Sequence, residues 1–216
     1  MSFFEYDPPK GPLKIIHSDH EIVVVDKPAG LLSVPGKGDH LADCLIDRVV
    51  AEFPTALLVH RLDCDTSGVM IFALSPLAQK HLGKQFETRK TRKVYEARVT
   101  GVMDKDDGSI DAPLIVDWPN RPKQVVCHET GKPSHTDYKV LSRGGNETKV
   151  RLFPKTGRSH QLRVHMLHLG HPILGDTFYG VHDGAGYDRM MLHSTSLKVR
   201  HPDGGEEIQF KSRAPF

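Results

Sequence analysis

The feature that most constrains this chain is a change of character at Gly68. Before it lies His60-Arg61-Leu62-Asp63-Cys64-Asp65-Thr66-Ser67, where charged or titratable groups and hydroxyls crowd into one short stretch. After it, residues 69–74 form a bulky apolar run with β-branched members. Such a run predicts a buried strand. Glycine at the joint makes a tight turn or a close backbone approach cheap. The expected arrangement is a polar loop delivered onto the edge of a rigid core strand, which is how scaffolds commonly fix sites. Arg61 and Asp63 lie two apart, so in an extended loop they point to the same side. That spacing suits a structural ion pair beside a turn. It equally suits a carboxylate held ionised as nucleophile or base, and the pair alone leaves both open.

The chain has 216 residues, enough for a real core in one large domain or two small ones. Residues 1–13 carry prolines and few apolar anchors and read as an extended arm; residues 14–216 read as one domain. The formal net charge is only +2, so a nucleic-acid partner has to be argued from local clustering. The three cysteines, Cys44, Cys64 and Cys127, are far apart and form no C-x-x-C pair. They read as reduced thiols of a cytosolic protein. The N-terminus lacks a charged start followed by a long apolar stretch, and no apolar run approaches the length of a membrane span.

Along the chain, residues 22–25 predict a short buried strand, turned by Lys27-Pro28-Ala29-Gly30, with a second short strand at 31–35. Apolar residues at helical spacing from Leu41 to Phe53 predict a helix ended by Pro54. Ser75-Pro76 is a helix start, with a stripe of Leu77, Leu82 and Phe86 running to about Thr88. Lys80, Lys84, Arg89, Lys90, Arg92 and Lys93 then form a basic run opposed only by Glu87. It suits a solvated face or a track for RNA phosphates.

Tyr95, Ala97 and Val99 alternate with polar residues, as in a half-buried strand. Residues 109–114 predict another strand. Trp118-Pro119-Asn120-Arg121-Pro122-Lys123-Gln124 is a rigid basic loop holding the only tryptophan. It reads either as a proline-stiffened loop with a packed ring or as an RNA-contacting loop, with Arg121 on phosphate and Trp118 stacking. Residues 136–141 and 148–153 predict a hairpin around Arg143-Gly144-Gly145-Asn146. Thr156-Gly157 opens a predicted helix from Arg158 to about Leu169, with Leu162, Met166 and Leu169 as its apolar stripe and Arg163 on another face. Its first turn suits a phosphate or carboxylate. Residues 180–188 read as a flexible loop, and strands at 190–197 and 208–210 close the chain. The sum is α+β: a mixed, mostly antiparallel central sheet with a few flanking helices.

The fourteen histidines raise the question of a metal. His160, His165, His168 and His171 cluster, but only His165 and His168 share close spacing on a face. No H-E-x-x-H or C-x-x-C partner set exists, so no metal site is expected. Walker, G-x-G-x-x-G and G-x-S-x-G patterns are also missing, which removes the usual sequence support for a nucleotide cofactor or serine hydrolysis.

Taken whole, His60 through Gly68 matches H-R-L-D-x-x-T-S-G, and with it the chain resembles the RluA family of RNA pseudouridine synthases. Further blocks occur in order. Asp26-Lys27-Pro28-Ala29-Gly30-Leu31 resembles the family's early D/N-K-P-x-G-L. Residues 93–100, with Tyr95, resemble K-x-Y-x-A-x-V. Thr156-Gly157-Arg158-Ser159-His160-Gln161-Leu162-Arg163 resembles T-G-R-x-H-Q-I/L-R. His171-Pro172-Ile173-Leu174-Gly175-Asp176 resembles H-P-I-x-G-D, and Leu192-His193 the late L-H. The resemblance implies isomerisation of uridine to pseudouridine within RNA by a cytoplasmic enzyme that needs no cofactor, on a central antiparallel sheet split by an active-site cleft. It implies Asp63 as the essential aspartate, Tyr95 as the ring packed on the target base, and Arg163 as the cation paired with the aspartate. It implies that Leu192 lines the uracil pocket. Arg61 fits a wedge or phosphate contact for a flipped nucleotide, and Arg158 joins the substrate-binding set. Many relatives carry a small N-terminal S4 RNA-binding domain that is not expected here. The block at residues 117–124 narrows the resemblance and implies two targets, a uridine in a tRNA anticodon stem-loop and one in a 23S rRNA hairpin. The rival reading is a non-catalytic RNA-binding module with the same fold.

Overall fold

The computed structural model describes residues 6–184 and 186–216. Its elements begin with β1 (Ile15–Ser18), β2 (Ile22–Lys27), α1 (Leu45–Glu52), β3 (Leu57–Leu58), β4 (Ser67–Ala73) and α2 (Pro76–Glu87). They continue with β5 (Arg92–Thr100), β6 (Asp107–Asp111), β7 (Leu114–Val116), β8 (Gln124–Val126), β9 (His135–Gly144) and β10 (Glu147–Pro154). The last are α3 (Gln161–His168), β11 (Leu192–Arg200) and β12 (Glu207–Lys211). Strands dominate, with few helices, as the α+β reading predicts. The chain forms two compact units. The first holds the residues up to Arg92 together with Ser194–Pro215; the second holds Lys93–His193 and Phe216.

The first unit is built on β4. Every residue of β4 is buried, and β2 pairs antiparallel along its length, with Val24 opposite Ile71. Residues 22–25 of β2 and 69–73 of β4 are apolar without alternation, as suits strands covered on both faces. On one face Val69, Ile71 and Ala73 pack with Ile22, Val24, Leu197, Val199, Phe210 and, from α2, Ala78 and Leu82. Each such aliphatic side chain contributes about 1.5–3 kcal/mol when removed from water. β1 pairs with β2, β3 with β4, and β12 with β11. At Gly68, φ is +114° and an added Cβ would lie 2.3 Å from the carbonyl oxygen of Ser194 in β11. The joint is therefore a close approach of two backbones that only glycine allows.

Three expectations change in this unit. Residues 31–35 form no strand, because the carbonyls of Leu32 and Ser33 instead accept the N–H groups of Leu45 and Ile46 at the start of α1 (2.8 and 3.3 Å). The helix expected from Leu41 begins at Leu45; Asp39–Leu41 is a separate 3-10 turn closed by Leu41 N–H on Gly38. In α2, Ser75 Oγ caps Ala78 N–H at 3.1 Å as predicted, but Leu77 is 80% exposed. The buried side of α2 runs through Ala78, Leu82 and Gln85, whose amide pairs with both backbone groups of Arg200. The described part of the N-terminal arm is pinned. Tyr6 Oη donates to Asp43 O and accepts from Leu32 N–H, and Arg48 donates to Pro9 O. Residues 1–5 of the arm lie outside the described residues.

In the second unit the order is β5-β10-β9-β6, all antiparallel, with β7 and β8 as a separate pair. Tyr95, Ala97 and Val99 form the buried side of β5. The expected hairpin is β9–β10. The expected strand at 109–114 is instead split between β6 and β7. Pro113 at the break has no N–H to donate, and Ala112 directs its N–H to Ser134 and its carbonyl to His165. α3 is shorter than predicted and has no stripe: Gln161, Leu162, Arg163, Val164, His165 and Met166 are all buried. Arg163 is thus enclosed like its neighbours rather than set on a separate face. In the segment 180–188, Val181–Gly184 is a 3-10 turn and Ala185 lies outside the described residues. Among the described residues no helix is long and apolar enough to cross a membrane.

Candidate active site

In the first unit, the polar loop before β4 is fixed by its backbone. Asp63 O accepts Thr66 N–H at 3.1 Å, which makes a turn of residues 63–66. Cys64 O accepts both Gly30 N–H (3.0 Å) and the Lys27 ammonium (2.7 Å). Lys27 is fully buried and also donates to the carbonyls of Pro28 and Leu31. The early lysine block is therefore a brace under the aspartate loop. A charge so enclosed is tolerable because its donors meet carbonyl dipoles. His60 Nε2 accepts the N–H of Ile71 in β4 at 3.2 Å, and its ring stacks on Phe86 of α2 at 4.5 Å. An acceptor Nε2 places the imidazole proton on Nδ1. Asp63 itself is half-buried and Arg61 is exposed.

In the second unit, Tyr95 is 9% exposed on β5, opposite Leu152 of β10. Arg163 is 2% exposed and Asp176 is fully buried. Arg163 Nε and Nη2 donate to Asp176 Oδ2 and Oδ1, each at 2.7 Å. Asp176 Oδ1 also accepts the N–H groups of Phe178 and Tyr179 (2.9 and 3.1 Å). Both aromatic rings lie 5.1 Å from the guanidinium carbon. The T-G-R-x-H-Q-L-R and H-P-I-x-G-D blocks are thus joined by one two-point ion pair. No local pattern marks Asp176 as the partner of Arg163, although the carboxylate stands at the end of the H-P-I-x-G-D block.

The loop before α3 rests on a continuous chain of buried hydrogen bonds. Thr156 Oγ1 donates to Gln161 Oε1 (2.7 Å), which also accepts Arg158 N–H (3.0 Å). Gln161 Nε2 donates to Thr136 Oγ1 (3.0 Å), whose hydroxyl faces His165 Nδ1 (2.9 Å). His165 Nε2 then donates to Ala112 O (3.0 Å). Both ring nitrogens of His165 are engaged by protein, and burial holds its pKa below the usual imidazole range. Lys93 directs its ammonium to Thr156 O at 3.0 Å, which ties the K-x-Y strand to the same loop. The N–H of Arg158, expected to greet an anion, is thus bonded internally; its Nε reaches Pro133 O at 3.3 Å. His160 sits at φ 53° and its Nδ1 meets Tyr179 Oη at 2.8 Å.

Leu192 is 2% exposed at the start of β11. Trp118 is 69% exposed, so its ring is not packed into a core; the Arg121 guanidinium lies over it at 4.1 Å. Lys80, Lys84, Arg89, Lys90 and Arg92 are exposed, with Lys84 on Glu87 at 3.0 Å. Among the described residues no group of three His, Cys, Asp or Glu is arranged to hold a metal ion. The three cysteines form no disulfide.

A half-buried carboxylate on a braced loop, a buried tyrosine, an enclosed arginine and exposed cations are parts that suit acid–base or covalent chemistry on a nucleoside. The model of a family described as RNA pseudouridylate synthase matches residues 21–168, and the chain belongs to that family. Among curated relatives, it is 52% identical over 204 residues to the dual-specificity RNA pseudouridine synthase RluA of Yersinia pestis, covering 94% of this chain and 99% of that protein. It is 49% identical over 219 residues to the RluA of Escherichia coli (strain K12), covering the whole of both. Among solved structures it is similar to human RNA pseudouridylate synthase domain containing 1, with a TM-score of 0.82 and 30% identity over 97% of this chain and 87% of that one. Human RNA pseudouridylate synthase domain containing 4 follows with a TM-score of 0.76 and 26% identity, over 94% and 88% of the two chains.

Proposed function

We propose that this protein is a dual-specificity RNA pseudouridine synthase of the cytoplasm. The observation that carries the reading is 49% identity along the full length of a protein of that name. The reaction breaks the N1–C1′ bond of uridine, turns the uracil, and joins C5 to C1′. C5 loses a proton and N1 gains one, so no oxidant, reductant or water is consumed. Such a reaction can be run by side chains alone, without metal or nucleotide.

Asp63 is the catalytic carboxylate, acting on a base that has left its stack. Its neighbours in sequence are braced, which suits a group that must meet one atom of the substrate. Tyr95 packs on the target uracil, and Leu192 gives the pocket an apolar wall. Arg163 is the cation that serves the catalytic carboxylate, and its Nε–Nη2 edge is held by Asp176. Arg61 serves the flipped nucleotide. Arg158 and Arg121 meet phosphates, and the exposed Trp118 ring offers a stacking platform. The substrates are a tRNA anticodon stem-loop and a 23S rRNA hairpin, read by shape and flipped bases.

The test is tritium release from tRNA and 23S rRNA fragments transcribed with 5-tritiated uridine, because forming the C5 bond must expel that hydrogen. Release from both RNAs is expected. Tight binding with no release on any RNA would leave a binding module in place of an enzyme.

A further inference from the structure

The aspartate loop is held at a second point, from a residue outside every signature block. Ser33 is 4% exposed. Its hydroxyl donates to Leu62 O at 2.7 Å and accepts Leu62 N–H at 3.1 Å. Leu62 is the residue before Asp63. The residue after it, Cys64, is held by Lys27 and Gly30. The chain is therefore gripped on both sides of Asp63, by opposite ends of one short segment, residues 27–33.

That segment is itself anchored. Lys27 closes β2 opposite Gly68 of β4. At the other end, Ser33 O accepts the N–H of Ile46 in the first turn of α1 (3.3 Å), and Leu32 O accepts that of Leu45 (2.8 Å). α1 has no side-chain cap, so these carbonyls satisfy part of its unpaired first turn. A rigid strand and a helix start thus carry the two grips. The serine hydroxyl is suited to its place: one atom meets both the donor and the acceptor of a single buried residue.

We infer that Ser33 is a positioning residue for Asp63, fixing the residue that precedes the carboxylate while Lys27 fixes the one that follows. The inference rests on the reading of Asp63 given above. Removing the Ser33 hydroxyl frees the Leu62 backbone, with β4 and the Lys27 grip left in place. A displacement of about 1 Å at a reacting group can cost on the order of 100-fold in rate. Apart from Arg61, the cations assigned to RNA, Arg121 and Arg158, lie on other loops, so rate and binding should separate.

The test is Ser33→Ala in single-turnover pseudouridine formation at saturating tRNA anticodon stem-loop, beside the RNA Kd from filter retention. Both are measured below the thermal transition of each protein. The expected result is a rate constant lower by about 10- to 100-fold with Kd within about 2-fold. A merely structural serine would lower the melting temperature and leave the rate of the folded protein unchanged, and that result overturns the inference. Should Ser33→Ala fail to fold, Ser33→Cys carries the same comparison: a reduced rate with unchanged Kd supports the role, and a wild-type rate overturns it. Wild type and Asp63→Asn in the same assay separate the two levels. An inactive wild type, or an Asp63→Asn variant as active as wild type, would remove the reading of Asp63 itself, whereas an active wild type equalled by Ser33→Ala, with Asp63→Asn inactive, would remove only the role of Ser33.

Discussion

Arg163 and Asp176 meet through two hydrogen bonds of 2.7 Å, with both side chains almost wholly out of water. The carboxylate also accepts two backbone N–H groups, so Asp176 organises the turn after it as well as the arginine. Planar two-point contact is something arginine provides and lysine does not.

Asp176→Ala removes the two-point partner of a buried guanidinium and the acceptor of two backbone donors. It is expected to lower unfolding free energy by about 3–5 kcal/mol. Urea unfolding at neutral pH measures this. A loss below about 1 kcal/mol would mean that the pair is not the enclosed contact described here.

Gly68→Ala places a Cβ 2.3 Å from Ser194 O in a backbone at φ +114°. Neither the rigid β4 nor the paired β11 can yield cheaply. A destabilisation of about 3 kcal/mol or more is expected, with loss of activity following loss of fold. A Tm within a degree or two of wild type would contradict it.

His165 gives a pH dependence with a definite sign. Burial depresses its folded pKa below the ordinary 6.5, while the unfolded chain titrates near that value. Between the two the unfolded chain binds more protons, so stability rises with pH. Its contribution is complete above about pH 6.5 and is lost as pH falls from there toward the folded pKa. Protonation would also cost Nδ1 its role as acceptor from Thr136. The decline in urea midpoint below pH 6.5 should be shallower in His165→Gln than in wild type. Parallel profiles would remove the assignment.

Trp118→Ala removes a ring that is 69% exposed. Stability should stay within about 0.5 kcal/mol of wild type. RNA Kd should rise by an amount equivalent to about 1–3 kcal/mol, the range for one base stacked on an aromatic ring. Anisotropy titration with a labelled stem-loop reads this, and an unchanged Kd would take Trp118 out of the interface.

What the sequence made legible follows from how local each signal is. The run at residues 69–74, the cap at Ser75-Pro76 and the alternation around Tyr95 act through neighbours, and each appears where its pattern placed it. Glycine at position 68 suits a tight turn or a close backbone approach, and the structure has the second, with Ser194 as the backbone it meets. The misses arise where distant groups decide. Leu31 to Pro35 has the composition of a strand, yet its carbonyls are claimed by Lys27 and by α1. Leu41 has helical spacing but belongs to a separate turn. The spacing of Leu162, Met166 and Leu169 gives α3 a stripe with Arg163 on another face; Asp176 and the Thr136–Ala112 chain allow Arg163 and His165 inside. Lys27 and Arg158 stand in recognisable blocks, but their partners, Cys64 O and the Gln161 side chain, come from packing. Ser33 carries no motif at all, and its role exists only in the distance to Leu62.

The central claim is that Asp63 turns uridine into pseudouridine. The most direct test compares wild type and Asp63→Ala on the same tRNA stem-loop, with nucleoside chromatography for product and filter retention for binding. Pseudouridine is expected from wild type and none from Asp63→Ala, with RNA Kd values within a few-fold of each other. Pseudouridine formed by Asp63→Ala at the wild-type rate would contradict it.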